Sequence, residues 1–260
     1  MKTIRRIIRV FLLLIWMPIS GLCSLLFVFG GWGNIKRVCH CARIWGGGIA
    51  FIISMKKKFF GDMSQFKGGL IVSNHTGYLD IIAHASSFPI RFTPKQDIRK
   101  WPLMGWYVGI GRPIWVDRSS KQKSIKLKKD FVDTMRHGIP LIIYPEGTST
   151  DGFSGILPFK STPFAAVAET DLPILPVVTV FDPPNDGSSL AWYGAGDDAT
   201  LIPHCWHILG HKKIEVELHI LPVIHPEGRS RKELAAYVHG KMQEKYEQIM
   251  REKGYSIKGQ

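Results

Sequence analysis

Residues 69–88 read "GLIVSNHTGYLDIIAHASSF". The run Gly69–Ser73 is short, apolar and β-branched, which predicts a buried strand. Asn74–Gly77 is a bend, and the apolar stretch after it predicts a helix from about Tyr78 that carries Asp80 in its first turn. A carboxylate there is favoured by the helix dipole and can reach back into the preceding loop. His75 lies in that loop, five places before Asp80. An imidazole works as a base when a carboxylate orients its far nitrogen, so this strand–bend–helix unit predicts both an α/β fold and a site at the strand end.

Working outward, short β-branched runs alternate with amphipathic stretches from about Lys67 onward. Strands are predicted at 69–73, 91–95, 113–117, 140–144, 173–181 and 213–221. In the last, Ile214, Val216, Leu218 and Ile220 alternate with Glu215, Glu217 and His219, the pattern of a half-buried strand. Residues 119–138 predict a helix capped by Ser119 or Ser120 and ended by Gly138. A capping box, Ser230 to Glu233, opens a C-terminal helix running to about Lys253. The expected fold class is α/β, a mixed and mostly parallel sheet covered by helices.

The front of the chain is different. No charged residue stands between Arg9 and Lys36, and Leu, Ile, Val, Phe and Trp dominate the run. That length suffices for a bilayer core, although Pro18 and Gly21 interrupt it. A second apolar-to-amphipathic segment follows and ends at Lys56–Lys58. Three basic clusters (2–9, 36–43 and 56–58) fit a re-entrant or monotopic pair of helices near the headgroups better than a single crossing. Residues 1–58 are therefore expected to be a two-helix membrane anchor, retained rather than cleaved, and 59–260 the α/β domain.

The 260 residues carry a formal net charge of +13, a pI near 9.7 and a mean hydropathy of +0.02. This balance favours an anionic partner. The cations flank apolar segments, and zinc-finger, RNP-type and basic-heptad patterns are absent, so the partner is an anionic membrane surface and not nucleic acid. Four cysteines make no disulfide framework, and reduced thiols suit a domain facing the cytoplasm. His204, His207 and His211 share a helical face without a nearby carboxylate; they read as an interfacial amphipathic turn, and no metal is expected.

Further stretches complete a pattern. "PKQDIRKWPLMGWYVGIGRPIWVDR", "YPEGTSTDG", "LPFKSTPF" and "LPILPVVTV" follow "NHTGYLD" in order. Together they resemble the glycerolipid acyltransferase family over about Lys67 to Val180. The resemblance implies acyl transfer from acyl-CoA or acyl-carrier protein to the hydroxyl of a lyso-lipid, with these as co-substrates and no cofactor. It implies an enzyme at the cytoplasmic face of a membrane, expected to be a bacterial inner membrane. His75 would be the general base and Asp80 its orienting carboxylate. Arg118, Glu146, Gly147, Thr148 and Lys95 would bind the acceptor's head group. No Gly-x-Ser-x-Gly elbow calls for an acyl-enzyme, and the oxyanion donors are backbone N–H groups of the bends at 74–77 or 146–148. The expected acceptor is 1-acyl-sn-glycerol-3-phosphate. Ser149 replaces the arginine common after Glu-Gly-Thr in the family, so a lyso-ornithine lipid or lysophospholipid is the alternative. A non-catalytic lipid-binding protein on the same fold is the competing reading.

Overall fold

The structure is a computed structural model that describes residues 1–117, 120–184, 190 and 201–257. Two long helices, α1 (Lys2–Leu25) and α2 (Trp32–Ile52), precede strand β1 (Met55–Phe60). Then come β2 (Leu70–Ser73), α3 (Tyr78–Ala85), a 3-10 turn (Gln96–Lys100), α4 (Met104–Ile110) and α5 (Lys121–Arg136). β3 (Leu141–Ile143), α6 (Ala165–Ala168) and β4 (Ile174–Phe181) follow, and α7 (Leu201–Ile208), β5 (Ile214–Ile220) and α8 (Arg231–Glu252) complete the chain.

The strand order is β1-β5-β4-β2-β3. β1–β5, β2–β4 and β2–β3 pair in parallel, and β4–β5 is antiparallel. The sheet is mixed and mostly parallel, as expected. Both faces of its centre are buried. Leu70, Val72, Leu141 and Ile143 pack with α5 and α8, while Ile71, Ile142 and Leu175 pack with Phe88 and Ile90 beyond α3. Such two-sided burial is why β2, β3 and β4 read as continuous apolar runs rather than as alternating ones.

Local chemistry sets the helix ends. Ser120 caps α5 by accepting from Lys123 N, Ser119 lies outside the described residues, and Gly138 follows that helix at φ +68°. The Ser230–Glu233 capping box opens α8 as predicted.

Two expectations need correction. Residues 91–95 and 113–117 form only isolated bridges, Arg91 to Leu141 and Lys95 to Val116. Pro94 and Pro113 have no N–H to donate, which removes one ladder bond from each of these short segments. Conversely, Lys56–Lys58, read as the end of the anchor, lie in β1, so the boundary placed at residue 58 falls inside the sheet. Lysines suit an edge strand, and Lys57 Nζ reaches Ser86 O at 3.0 Å and Ser86 Oγ at 2.8 Å.

The two front helices also differ from each other. Among the described residues, only α1 is long and apolar enough to cross a membrane. α2 runs back along it, with Trp16 Nε1 bonded to Trp45 O and Cys41 Sγ to Cys23 O, and buries Ile49 and Ala50 in a core shared with Leu79 and Ile82 of α3. The first basic cluster does not face headgroups throughout. Arg9 is buried, and its guanidinium donates to Leu209 O, His211 O and Ser54 Oγ; Arg5 donates to Gly210 O. These carbonyls lie in the link between α7 and β5, so two arginines weld the start of α1 to the α/β domain.

Candidate active site

The bend between β2 and α3 brings His75 and Asp80 together. His75 Nδ1 lies 2.8 Å from Asp80 Oδ2. Asp80 sits at the third position of α3 and is fully buried, so its short side chain turns back over the helix start. Oδ2 also accepts from Thr76 N at 2.5 Å and Gly77 N at 3.0 Å, and Oδ1 accepts from Thr76 Oγ1 at 2.8 Å. Burial alone would raise this carboxyl's pKa; the hydrogen bond and charge of His75 and the Gly77 N–H outweigh it, and the pKa lies below the ordinary value. An ionised carboxylate only accepts, so Nδ1 carries the proton and the lone pair falls on Nε2. The imidazole is 22% exposed, which leaves that nitrogen a route to a ligand.

Everything else about His75 is held. Its N–H donates to Glu146 Oε1 at 2.7 Å, and its C=O accepts from Thr150 N at 2.8 Å. Tyr144 stacks beneath the ring, with centroids 4.3 Å apart and planes 24° apart. The Tyr144 hydroxyl bonds His84 Nδ1 at 2.9 Å, and His84 Nε2 bonds Thr179 Oγ1 at 3.1 Å. His84 lies one helical turn beyond Asp80, and burial pushes its pKa down to about 4, so it is the neutral imidazole of this floor. Asn74 accepts from Thr179 N at 2.8 Å and donates to Thr179 O at 2.9 Å, which ties the end of β2 to β4. Tyr144, Thr150, Thr76 and His84 are the members that sequence reasoning missed. The first two lie within "YPEGTST", and His84 shares a helical face with Asp80; those were the available signals.

The structure places the remaining expected residues as follows. Glu146 is buried, and its oxygens accept backbone N–H groups, Oε1 from His75 and Oε2 from Leu157 at 2.9 Å. It clamps the His75 bend to the 156–158 loop. Gly147 has φ +75°, and a Cβ there would stand 2.3 Å from Lys160 Nζ, so glycine permits both the turn and the lysine's approach. Thr148 is exposed beside it. Lys95 is exposed, in the segment that follows the Arg91–Leu141 bridge along β3. Arg118 lies outside the described residues. Of the two bends expected to supply oxyanion donors, the first is occupied: the N–H groups of His75, Thr76 and Gly77 all donate to Glu146 or Asp80. The three clustered histidines diverge, for His204 bonds Tyr78 Oη at 2.9 Å while His207 and His211 meet at 3.1 Å.

Glu146 gives the fold a pH dependence. Burial raises its pKa from 4.5 to about 7 against the pull of the Leu157 and His75 N–H groups. Its contribution to stability is complete below the unfolded value of 4.5 and declines as pH rises through about 7. The whole span is worth about 3 kcal/mol. Asp80, lowered, acts oppositely but only in more acid solution, below its ordinary 3.8. Thermal unfolding of the wild type is therefore expected to shift downward from pH 5 to 8 relative to Glu146→Gln. Parallel melting curves for the two proteins across that range would contradict it.

Residues 61–180 match the protein-family model described as Acyltransferase. The chain is 32% identical over 175 residues to the lyso-ornithine lipid O-acyltransferase of Rhodobacter capsulatus, a match covering 65% of this chain and 62% of that protein. It is 26% identical over 152 residues to the 1-acyl-sn-glycerol-3-phosphate acyltransferase of Neisseria gonorrhoeae, covering 58% of each. In both cases the matched region spans less than two thirds of the relative's length. In fold it is similar to the crystal structure of the 1-acyl-sn-glycerophosphate (LPA) acyltransferase PlsC from Thermotoga maritima, with a TM-score of 0.65 at 19% identity over 96% of this chain and 98% of that one.

Proposed function

We propose that the chain, whose residues 61–180 match the acyltransferase family model, esterifies the free hydroxyl of a lyso-lipid with a fatty acyl group from an acyl thioester of coenzyme A or acyl-carrier protein. The observation that carries this reading is the partly exposed imidazole bonded through Nδ1 to a buried, ionised carboxylate, which leaves Nε2 as its free base.

In the reaction, His75 Nε2 takes the proton of the acceptor hydroxyl as its oxygen attacks the thioester carbonyl. Asp80 stabilises the imidazolium that forms. The tetrahedral intermediate collapses with loss of the C–S bond, and His75 returns the proton to the departing thiolate. Ester and thiol are the products, and no acyl-enzyme intervenes. The amides of residues 75–77 are spent on Asp80 and Glu146, so the oxyanion donors are assigned to the turn after Gly147, the Thr148 and Ser149 N–H groups. Thr148, Lys95, Lys160 and Arg118 are assigned to binding the head group. Glu146 contributes by holding the base's backbone.

Two observations favour a lyso-ornithine lipid as acceptor: Ser149 removes one cation that a phosphate would use, and the first relative described above carries that name. A second reading, 1-acyl-sn-glycerol-3-phosphate, is supported by the Lys160 ammonium beside Gly147 and by the Neisseria relative. A membrane location follows from the substrate and from α1, whose outward stripe exposes Ile4, Ile8, Phe11, Ile15 and Leu22. Its welded start suits a helix lying along one leaflet, with α2 beneath it, on the cytoplasmic side where acyl thioesters are made. The test is product analysis after incubating the detergent-purified chain with one labelled acyl thioester and a panel of lyso-lipids. The expected product is labelled diacyl ornithine lipid. Free fatty acid in every vessel, acceptor present or not, would replace this reading with a thioesterase.

A further inference from the structure

The segment "WPLMGW", Trp101–Trp106, has no role in the reaction just described, yet it is built with unusual constraint. It leaves the 3-10 turn and enters α4 through Leu103, whose φ is +61° and which is 85% exposed. A leucine held in the left-handed region is strained. Trp106 is 66% exposed, Trp101 44% and Met104 40%. Gly105 makes the bend possible, since a Cβ there would lie 2.1 Å from Arg99 O. The chain thus holds a strained, tight hook whose outer surface is four large apolar side chains. Each leaves a large part of its apolar surface in water, where an apolar medium would be favoured.

Its position says what covers it. α4 packs on α1: Tyr107 Oη donates to Met17 O at 3.1 Å and meets Ser20 Oγ at 3.3 Å, and Tyr107 lies against Gly21. The hook therefore sits beside the C-terminal half of α1. Arg99 and Lys100, both exposed, immediately precede it in the chain. Two exposed tryptophans and an exposed leucine next to two exposed cations suit the boundary between headgroups and acyl chains of an anionic leaflet. We infer that Trp101–Trp106 is a second membrane contact, which inserts Leu103 and Trp106 below the phosphates and, with α1, fixes the depth and tilt of the domain.

This rests on α1 meeting the membrane, and the experiment separates the two. In a Cys23→Ser background, which removes the exposed thiol, a nitroxide is placed on the full chain at Leu103→Cys or Trp106→Cys. Further labels at Phe11→Cys on α1 and Lys232→Cys on α8, across the sheet, serve as references. Each protein is reconstituted in vesicles of phosphatidylethanolamine and phosphatidylglycerol, and collision with oxygen and with a water-soluble nickel chelate is measured. Labels at 103 and 106 are expected to match Phe11, with nickel collision at least tenfold lower than at Lys232. A label at 103 as open to nickel as that at 232, with Phe11 shielded, overturns the hook alone. Phe11 open to nickel overturns the membrane reading itself. Dipolar broadening at 103 that vanishes on dilution with unlabelled chain assigns the hook to a second copy and overturns the proposal as well.

Discussion

His75→Ala is expected to lower acyl transfer by roughly 10²–10⁴-fold, the range of a positioned general base, with folding and membrane association unchanged. The ring is partly exposed, and the loop around it is held by backbone groups rather than by the imidazole. Its N–H and C=O stay bonded to Glu146 and Thr150 whatever the side chain. The substitution leaves Asp80 three other donors, Thr76 N, Thr76 Oγ1 and Gly77 N, so no buried charge is stranded. What disappears is the nitrogen that takes the proton. A variant with intact thermal unfolding and near-wild-type rate would remove His75 from the chemistry.

Asp80→Asn is expected to cost up to about 10⁴-fold in rate, the scale set by losing the carboxylate that fixes a catalytic imidazole. The isosteric amide keeps an oxygen where Oδ2 stood, accepting from His75, Thr76 N and Gly77 N. Its NH₂ then faces Thr76 Oγ1, a hydroxyl that can turn round and accept. The fold should therefore lose only about 1 kcal/mol, the difference between charge-assisted and neutral hydrogen bonds. The catalytic loss has another origin: a neutral amide cannot stabilise the imidazolium. Rate and stability measured on the same preparation separate the two effects. A rate loss no larger than the loss of folded protein would reduce Asp80 to a structural residue.

The strand–bend–helix around His75 was legible because its signals are local: a β-branched run, a Gly-containing bend and a helix whose first turn carries the acid. The ends of α5 and α8 were legible for the same reason, since Ser120 and the Ser230–Glu233 box act within one turn. β1 was hidden because three consecutive lysines follow an apolar run, which reads as a membrane flank; only pairing with β5, some 160 residues away, makes it a strand. Within the site, His75 and Asp80 were readable because they are five residues apart. The Tyr144 floor, the His84 link and the Thr150 latch depend on which strand ends meet, and spacing alone carries no trace of that. Glu146 was recognisable as a site residue from its motif, but its partners are backbone N–H groups at 75 and 157, visible only once the loops are folded together.

The most direct trial measures the initial rate at which labelled acyl thioester becomes labelled diacyl lipid, at one fixed concentration of lyso-lipid acceptor. Wild type and His75→Ala are compared at matched folded fraction, each with and without the acceptor. The account predicts thioester consumption only when wild type and acceptor are both present, one lipid ester formed per thiol released, and background rates in the other three vessels. Equal ester formation by the two proteins, or thiol release that ignores the acceptor, would contradict it.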